Sequence, residues 1–301
     1  MIATVFDRHG PPEVLRLAEL PDPEPGVGEV RVRVRAAGVQ PFDLAVRNGT
    51  MPWVTAVFPQ QIGQEYSGIV DVVGDGVTSV APGDAVLGST MLRGQASMVV
   101  VSADTLVRKP ADLDFPTAAG LVAAGQTATG ALDELGVESG DVLLVHAAAG
   151  SVGTLSVQLA RLLGATVIGT ASRSNHEYLR DLGAIPVAYG PGLVDEVRAT
   201  GLTPTVALDA AGRGAVSASV ELGIDRARIG TIVDDESASV LGTRVVRAPR
   251  DPGRLARVVD LAAQGLLTMP VRTYPLTDVV EAHAAVEAGH GRGKVVLAID
   301  N

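Results

Sequence analysis

The sequence predicts an α/β protein. A β-rich, barrel-like first third is followed by a doubly wound parallel sheet with helices on both faces. Three observations carry this. Residues 29–36 (EVRVRVRA) alternate apolar and charged side chains, the period of a strand with one wet face. From about Phe115 the chain alternates short apolar stretches with helical ones, which argues a parallel sheet covered by helices. An Ala- and Gly-rich turn, residues 147–153, sits at the first strand-to-helix junction of that second part.

The elements follow in order. Pro21, Pro23, Pro25 and Gly26 make a turn-rich connection ahead of the strand 29–36. Residues 66–73 and 96–101 read as further strands, and Gly74, Asp75, Gly76, Pro82, Gly83 and Asp84 mark the turns between them. Strands punctuated in this way suggest a compact barrel-like domain. Residues 117–135 are Ala- and Leu-rich and helical in period. Residues 141–146 (DVLLVH) are a short apolar strand, and 151–163 an amphipathic helix that Gly164 stops. A second strand spans 165–170, and a helix over 176–182 ends at Gly183. Short strands follow at 185–189, 206–209 and 228–233. A helix at 276–287 and a strand at 294–299 close the chain. There is no internal repeat and no low-complexity linker.

Composition limits the function classes. The 301 residues suffice for two domains, and 47% hydrophobic with 19% charged residues fits a soluble globular protein. Aromatics make up only 3%, so the core must be built from Ala, Val and Leu. The net charge of −10 disfavours a nucleic-acid partner, which needs clustered Lys and Arg. Cysteine is absent, which excludes disulfides, a thiol nucleophile and thiolate-held zinc. The five His residues, at positions 9, 146, 176, 283 and 290, are scattered without ligand spacing, so no metal is expected. The first residues lack the basic start and apolar run of a signal peptide. No uncharged apolar stretch reaches the roughly 18–20 residues of a membrane span. The expected location is the cytoplasm, with no membrane partner.

The strongest local signal is the stretch from Val145 to Gly153 (VHAAAGSVG). It lies between a strand and a helix, where a dinucleotide fingerprint must lie to work. Ala148, Gly150 and Gly153 take the three glycine positions. Gly150 would let the backbone approach a pyrophosphate, and Gly153 would let the helix pack close to the strand. Ala149, Ser151 and Val152 complete the cradle, and the helix N-terminus offers free N–H groups and partial positive charge. The first glycine is replaced by Ala, so an ordinary strand–helix turn is the competing reading. The second strand ends in Thr170-Ala171-Ser172-Arg173. An NAD site would place Asp or Glu there for the ribose hydroxyls. A hydroxyl and a guanidinium instead suit a 2′-phosphate, because Arg donates charge-assisted hydrogen bonds to it. The expected cofactor is therefore NADPH, against the alternative that Arg173 is a solvated loop residue.

Motifs strung along nearly the whole chain carry a family likeness. They are Arg35-Ala36-Ala37-Gly38-Val39 followed by Pro41, Phe42 and Asp43; Gly63-Gln64-Glu65-Tyr66-Ser67-Gly68; Pro82-Gly83-Asp84-Ala85-Val86; Gln126-Thr127-Ala128; the AAAGSVG turn; Leu182-Gly183-Ala184; and Gly293-Lys294-Val295-Val296-Leu297. In order and spacing the chain resembles the medium-chain dehydrogenase/reductase superfamily, and within it the zinc-free quinone oxidoreductase branch. The resemblance implies a GroES-like β-rich catalytic domain over 1–117 completed by 273–301. It implies a Rossmann NADPH-binding domain over 118–272, with the active site in the cleft between them. Zinc-dependent members carry a Cys and a His where this chain has Gln40 and Gln64, and amides are poor zinc ligands. The four-Cys structural zinc lobe is absent as well.

Further roles follow from the resemblance alone. Thr127 would lie near the nicotinamide, with a hydroxyl bonded to its own helix as the alternative. Ser172, Arg173 and Tyr189 would surround the 2′-phosphate, although Tyr189 reads equally as a half-buried strand-end residue. Asp209, Ala210, Ala211 and Gly212, with Ile232 and Val233, would line the nicotinamide side. Lys294 either reaches the cleft or is a surface residue at a strand start.

Without a metal, reduction needs an acceptor already poor in electrons, such as a quinone or a carbon–carbon double bond conjugated to a carbonyl. A donor should then stabilise the oxygen on which charge develops. Gln40, Gln64 and Tyr66 are the candidate donors, while Glu65 and Asp43 look structural. Trp53 and Met51 belong to a loop expected to border the substrate pocket, with simple core packing as the alternative for Trp53. Two other functions stay open: an enoyl or tailoring reductase of secondary metabolism, and a non-catalytic NADPH-binding sensor or structural protein. A homodimer joined near residues 216–246 is expected from the family likeness.

Overall fold

The computed structural model describes residues 1–289 and 291–300, so His290 lies outside the described residues. Two compact units form. The first comprises Met1–Ala123, Arg250–Gly265 and Met269–Asn301, and the second Ala124–Pro249 and Leu266–Thr268.

The first unit is built around the strand Glu29–Val39. Its Val30, Val32, Val34 and Ala36 are fully buried, as the alternation requires. It pairs antiparallel with Glu65–Val73, with Met98–Ser102 and with Lys294–Ala298. The last strand of the chain thus enters the same seven-stranded sheet as the early ones. A second, three-stranded sheet holds Ile2–Phe6 between Leu15–Glu19 and Gln60–Gln61. Two helices went unread in the sequence, Pro41–Asn48 and Pro252–Ala263. Both carry the Pro-at-first-turn signal, and Gly49, with φ of 74°, ends the first of them.

The helix Val279–Glu287 buries His283 in this unit. Its Nδ1 accepts from the buried Arg47 Nη1 at 3.3 Å, and its Nε2–H donates to Gln95 Oε1 at 3.1 Å. Burial and the neighbouring guanidinium push this imidazole down to about 3. The unfolded chain therefore binds a proton here that the folded chain refuses between about pH 6.5 and 3, and stability falls as pH drops through that window. The slope from this group approaches ~1.4 kcal/mol per pH unit below pH 5.5. Urea unfolding at pH 5.5 and 4.5 should show a smaller loss for His283→Gln than for the wild type. Equal losses would contradict the assignment.

The second unit holds a six-stranded, all-parallel sheet. Across the sheet the order is Ile185–Ala188, Thr166–Ala171, Val142–His146, Val206–Asp209, Ile229–Thr231 and Arg244–Val245. The first strand in sequence is central, and the order reverses between it and Val206–Asp209. That reversal is the switch point outside which such sheets bind ligands. Leu143, Leu144 and Val145 are buried on both faces, as a central parallel strand demands. Three seven-residue helices, Leu193–Ala199, Ala215–Glu221 and Asp235–Leu241, were not read from the sequence. Two turns are too few for a period of 3.6 to show.

Candidate active site

The turn after the central strand Val142–His146 is tied to the neighbouring strand. Ala147 N–H donates to Thr170 Oγ1 at 3.2 Å and Ala148 N–H to Thr170 O at 2.9 Å. Ala147 takes a positive φ of 56°, and Gly150 N–H closes the turn on Ala147 O at 3.0 Å. Ala148 stands where a first glycine is usual, and its methyl fills space that Gly169 leaves open. A Cβ on Gly169 would lie 2.8 Å from it.

The two glycines differ in kind. A Cβ on Gly153 would lie 2.3 Å from Ala147 O and 2.6 Å from Ala148 Cα, so the fold itself requires glycine there. A Cβ on Gly150 would meet only Ala147 O, at 3.4 Å, an ordinary contact. The space beside Gly150 is open, which suits close approach by a ligand. The helix Ser151–Leu162 starts there with no side-chain cap, and its first-turn N–H groups have no intrahelical acceptor.

The strand ends beside this turn gather the residues expected at a phosphate. Ala171 and Ala188 are register partners, so Ser172 and Tyr189 emerge next to each other. Tyr189 is exposed rather than half-buried. Ser172 Oγ sits 3.0 Å from Ser174 Oγ and accepts from Asn175 Nδ2 at 3.1 Å. Arg173 is well exposed, but its Nη2 donates to Glu196 Oε1 at 2.8 Å. Glu196 was missed in the sequence; it comes from the first turn of Leu193–Ala199 and gives no local signal of its role.

On the other side of the switch point, the buried Asp209 carboxylate accepts from Ala211 and Gly212 N–H at 2.7 and 2.8 Å, and from Thr231 Oγ1 at 2.8 Å. Thr231 Oγ1 in turn accepts from Val233 N–H at 3.1 Å. Asp209 therefore fixes both loops expected to line a nicotinamide, with Ala211 and Val233 exposed on them. His146, at the end of the central strand, lies 2.9 Å from Ser219 Oγ and is lowered to about 4 by burial. Thr127 is half-buried in the helix Phe115–Glu134.

The first unit holds a separate polar cluster. Gln40 starts the helix Pro41–Asn48, and its N–H donates to Asp43 Oδ2 at 3.0 Å. Burial raises the Asp43 carboxyl to about 7. Gln40 Nε2 donates to Gln64 Oε1 at 2.7 Å, and Lys294 Nζ donates to Gln40 Oε1 at 3.3 Å. Lys294 also pairs with Glu65, whose Oε2 accepts Ala123 N–H at 2.7 Å. Glu65 and Asp43 thus buttress the unit, and Lys294 is a buried ion-pair partner rather than a surface lysine.

Tyr66 leaves the donor set. Its strand Glu65–Val73 is covered on both faces over its first four residues, and the ring lies fully buried in the apolar core. Burial alone pushes its hydroxyl above the ordinary tyrosine range. Trp53 is exposed and stacks on Phe42, with ring centroids 5.3 Å apart.

Comparison with known proteins agrees with this architecture. The alcohol dehydrogenase GroES-like domain family matches residues 26–134, and the zinc-binding dehydrogenase family matches 194–297. The residues do not fit the zinc of the second name. The two amides Gln40 and Gln64 bond to each other, and an ammonium already sits beside them. A solved quinone oxidoreductase from Coxiella burnetii superposes with a TM-score of 0.91 at 31% identity, covering 100% of this chain and 99% of that one. The Escherichia coli quinone oxidoreductase solved in complex with NADPH superposes at 0.87 with 26% identity, over 99% of this chain and 100% of that one. Among curated sequences, the pikromycin polyketide synthase component PikAII of Streptomyces venezuelae is 35% identical over 93% of this chain and 8% of its own length. The chain likewise spans only about half of the quinone oxidoreductases from Pseudomonas aeruginosa and Sus scrofa, at 51% and 50%. From full-length superposition and the two domain families, this chain belongs to the medium-chain dehydrogenase/reductase superfamily of oxidoreductases, in its quinone oxidoreductase-like branch.

Proposed function

We propose that the chain is a zinc-independent reductase that uses NADPH to reduce a quinone or an α,β-unsaturated carbonyl. The observation that carries this reading is the turn at the switch point, with open space at Gly150 and an uncapped helix behind it. Ala149, Gly150, Ser151, Val152 and Gly153 would cradle the pyrophosphate. Ser172, Arg173 and Tyr189 would receive the 2′-phosphate. Ala210, Ala211 and Val233, held by Asp209 and Thr231, would border the nicotinamide with Thr127. Bound NADPH supplies the hydride. The protein's own contribution is to hold both reactants and to place a donor at the oxygen that gains charge.

Mixing the protein with NADPH and a panel of quinones and enones tests the reading by the loss of absorbance at 340 nm. Turnover of at least one class is expected. Tight NADPH binding with no turnover of any acceptor would favour a non-catalytic binding protein. A second enzyme reading, an enoyl reductase of secondary metabolism, is favoured by the PikAII likeness. Preference for enoyl thioesters over quinones in the same panel would select it. Assembly as a homodimer through the exposed edge strand Arg244–Val245 belongs to the same proposal, and a solution mass of one chain would remove it.

Glu196 gives this reading a quantitative consequence. It holds the Arg173 guanidinium and would place a carboxylate beside the incoming phosphate. Glu196→Gln should tighten NADPH binding by ~3- to 10-fold at low salt, since an exposed charge of this kind is only partly screened. NADH affinity should stay unchanged. Calorimetric titration of both coenzymes measures it, and an unaltered NADPH affinity would count against the placement of the phosphate.

A further inference from the structure

The geometry points to Gln64 as the group that holds the acceptor's oxygen, with the buried ammonium of Lys294 driving it through Gln40. This rests on the reductase reading and names the donor within it.

The direction of every hydrogen bond in the chain of contacts is fixed by one fact. An ammonium can only donate. Lys294 Nζ reaches Gln40 Oε1 at 3.3 Å, so that oxygen is the acceptor and the Gln40 amide has one orientation. Its Nε2 must then donate, and it does so to Gln64 Oε1 at 2.7 Å. The Gln64 amide is oriented in turn. Its oxygen is taken, and its Nε2 has no partner among the described residues.

Exposure runs the same way. Lys294 is 3% and Gln40 9% exposed, whereas Gln64 is only partly buried. The chain of donors starts at a buried positive charge and ends at N–H groups that solvent or a ligand can reach. Glu65 fixes the ammonium from behind and is itself held by Ala123 N–H. A series of hydrogen bonds that begins at a charge polarises each successive donor. The terminal Gln64 N–H is therefore a stronger donor than an isolated amide, at a fixed position and with no acceptor of its own.

The chemistry this serves is the gain of charge on a carbonyl oxygen. When hydride forms a new C–H bond at the carbon β to the carbonyl of a quinone or enone, the C=C π bond breaks, the carbonyl π pair moves to oxygen and an enolate remains. For a quinone, a proton shift from the new CH2 then gives the aromatic hydroquinone anion. Gln64 N–H donates to that oxygen, and solvent provides the proton that completes the product. Gln64 is the contacting residue; Gln40 and Lys294 position and polarise it.

The test uses 4-nitrophenol as a stable analogue of the anionic oxygen, read by its phenolate absorbance near 400 nm with the full-length protein. The wild type is expected to lower the apparent pKa of the bound phenol by about one unit. Gln64→Leu, at a partly exposed site, should remove the shift. The double substitution Lys294→Met with Glu65→Gln removes both buried charges together and avoids stranding one, and should remove part of the shift. In parallel, NADPH-dependent reduction of 1,4-benzoquinone and 2-cyclohexen-1-one should show kcat lowered ~10- to 100-fold in Gln64→Leu, with KM changed little. A wild type without a saturable phenolate signal overturns the proposal, and so does a Gln64→Leu protein that titrates like wild type. Wild-type turnover retained in full by Gln64→Leu overturns it while leaving the reductase reading standing. A wild type that turns over neither acceptor nor any other quinone or enone sinks that reading and the proposal with it.

Discussion

Arg173→Ala should weaken NADPH binding by ~10- to 100-fold while leaving NADH within about twofold, the range expected for losing charge-assisted hydrogen bonds to a phosphate. The guanidinium directly follows the strand end that carries Ser172, whose register neighbour leads to Tyr189, and the second strand ends in Thr170-Ala171-Ser172 with no Asp or Glu at the position that would favour ribose hydroxyls. Its partner Glu196 is partly exposed, so removing Arg173 should cost little stability. Fluorescence titration of both coenzymes, with thermal unfolding as a control, measures it. Parallel weakening of NADPH and NADH would show that Arg173 supports the loop and does not read the phosphate.

The second large effect separates the two glycines of the turn. Gly153→Val should destabilise the second unit by about 3 kcal/mol or more, because its Cβ would overlap the backbone of Ala147 and Ala148. Gly150→Val should keep near-wild-type unfolding, since a Cβ there meets only Ala147 O at 3.4 Å and the backbone, with φ of −73° and ψ of 174°, suits any residue. It should nevertheless lower coenzyme affinity ~100-fold or more by filling the space a pyrophosphate needs, at the tight approach for which the fingerprint reserves glycine. Urea unfolding paired with coenzyme titration distinguishes the two. Normal NADPH binding by Gly150→Val would mean that the open space serves something else.

The parallel sheet and its turn were legible because both signals are local. The strand–turn–helix order, the spacing of Gly150 and Gly153, and the apolar strands all sit within short windows. The strand alternation of 29–36 was legible for the same reason. Most of what escaped was too short or too distant; the helix Pro252–Ala263 was neither, since its twelve residues and Pro start are a local signal that could have been read. Seven-residue helices show no period. Glu65 and Lys294 are buried partners separated by most of the chain, and Arg173 and Glu196 meet only because two adjacent strands end together. Tyr66 misled because its strand is covered on both faces at that end, so alternation could not say which side is wet. Gln40 and Gln64 were singled out by their positions in the family pattern, but their mutual bond and its direction depend on an ammonium that sequence spacing could not place.

Amide hydrogen exchange across residues 147–153, measured with and without saturating NADPH, tests the coenzyme site most directly. Protection of the Gly150, Ser151, Val152 and Gly153 amides on binding is the expected result. Saturation with no slowing of exchange in that segment would contradict the placement of the pyrophosphate and everything argued from it.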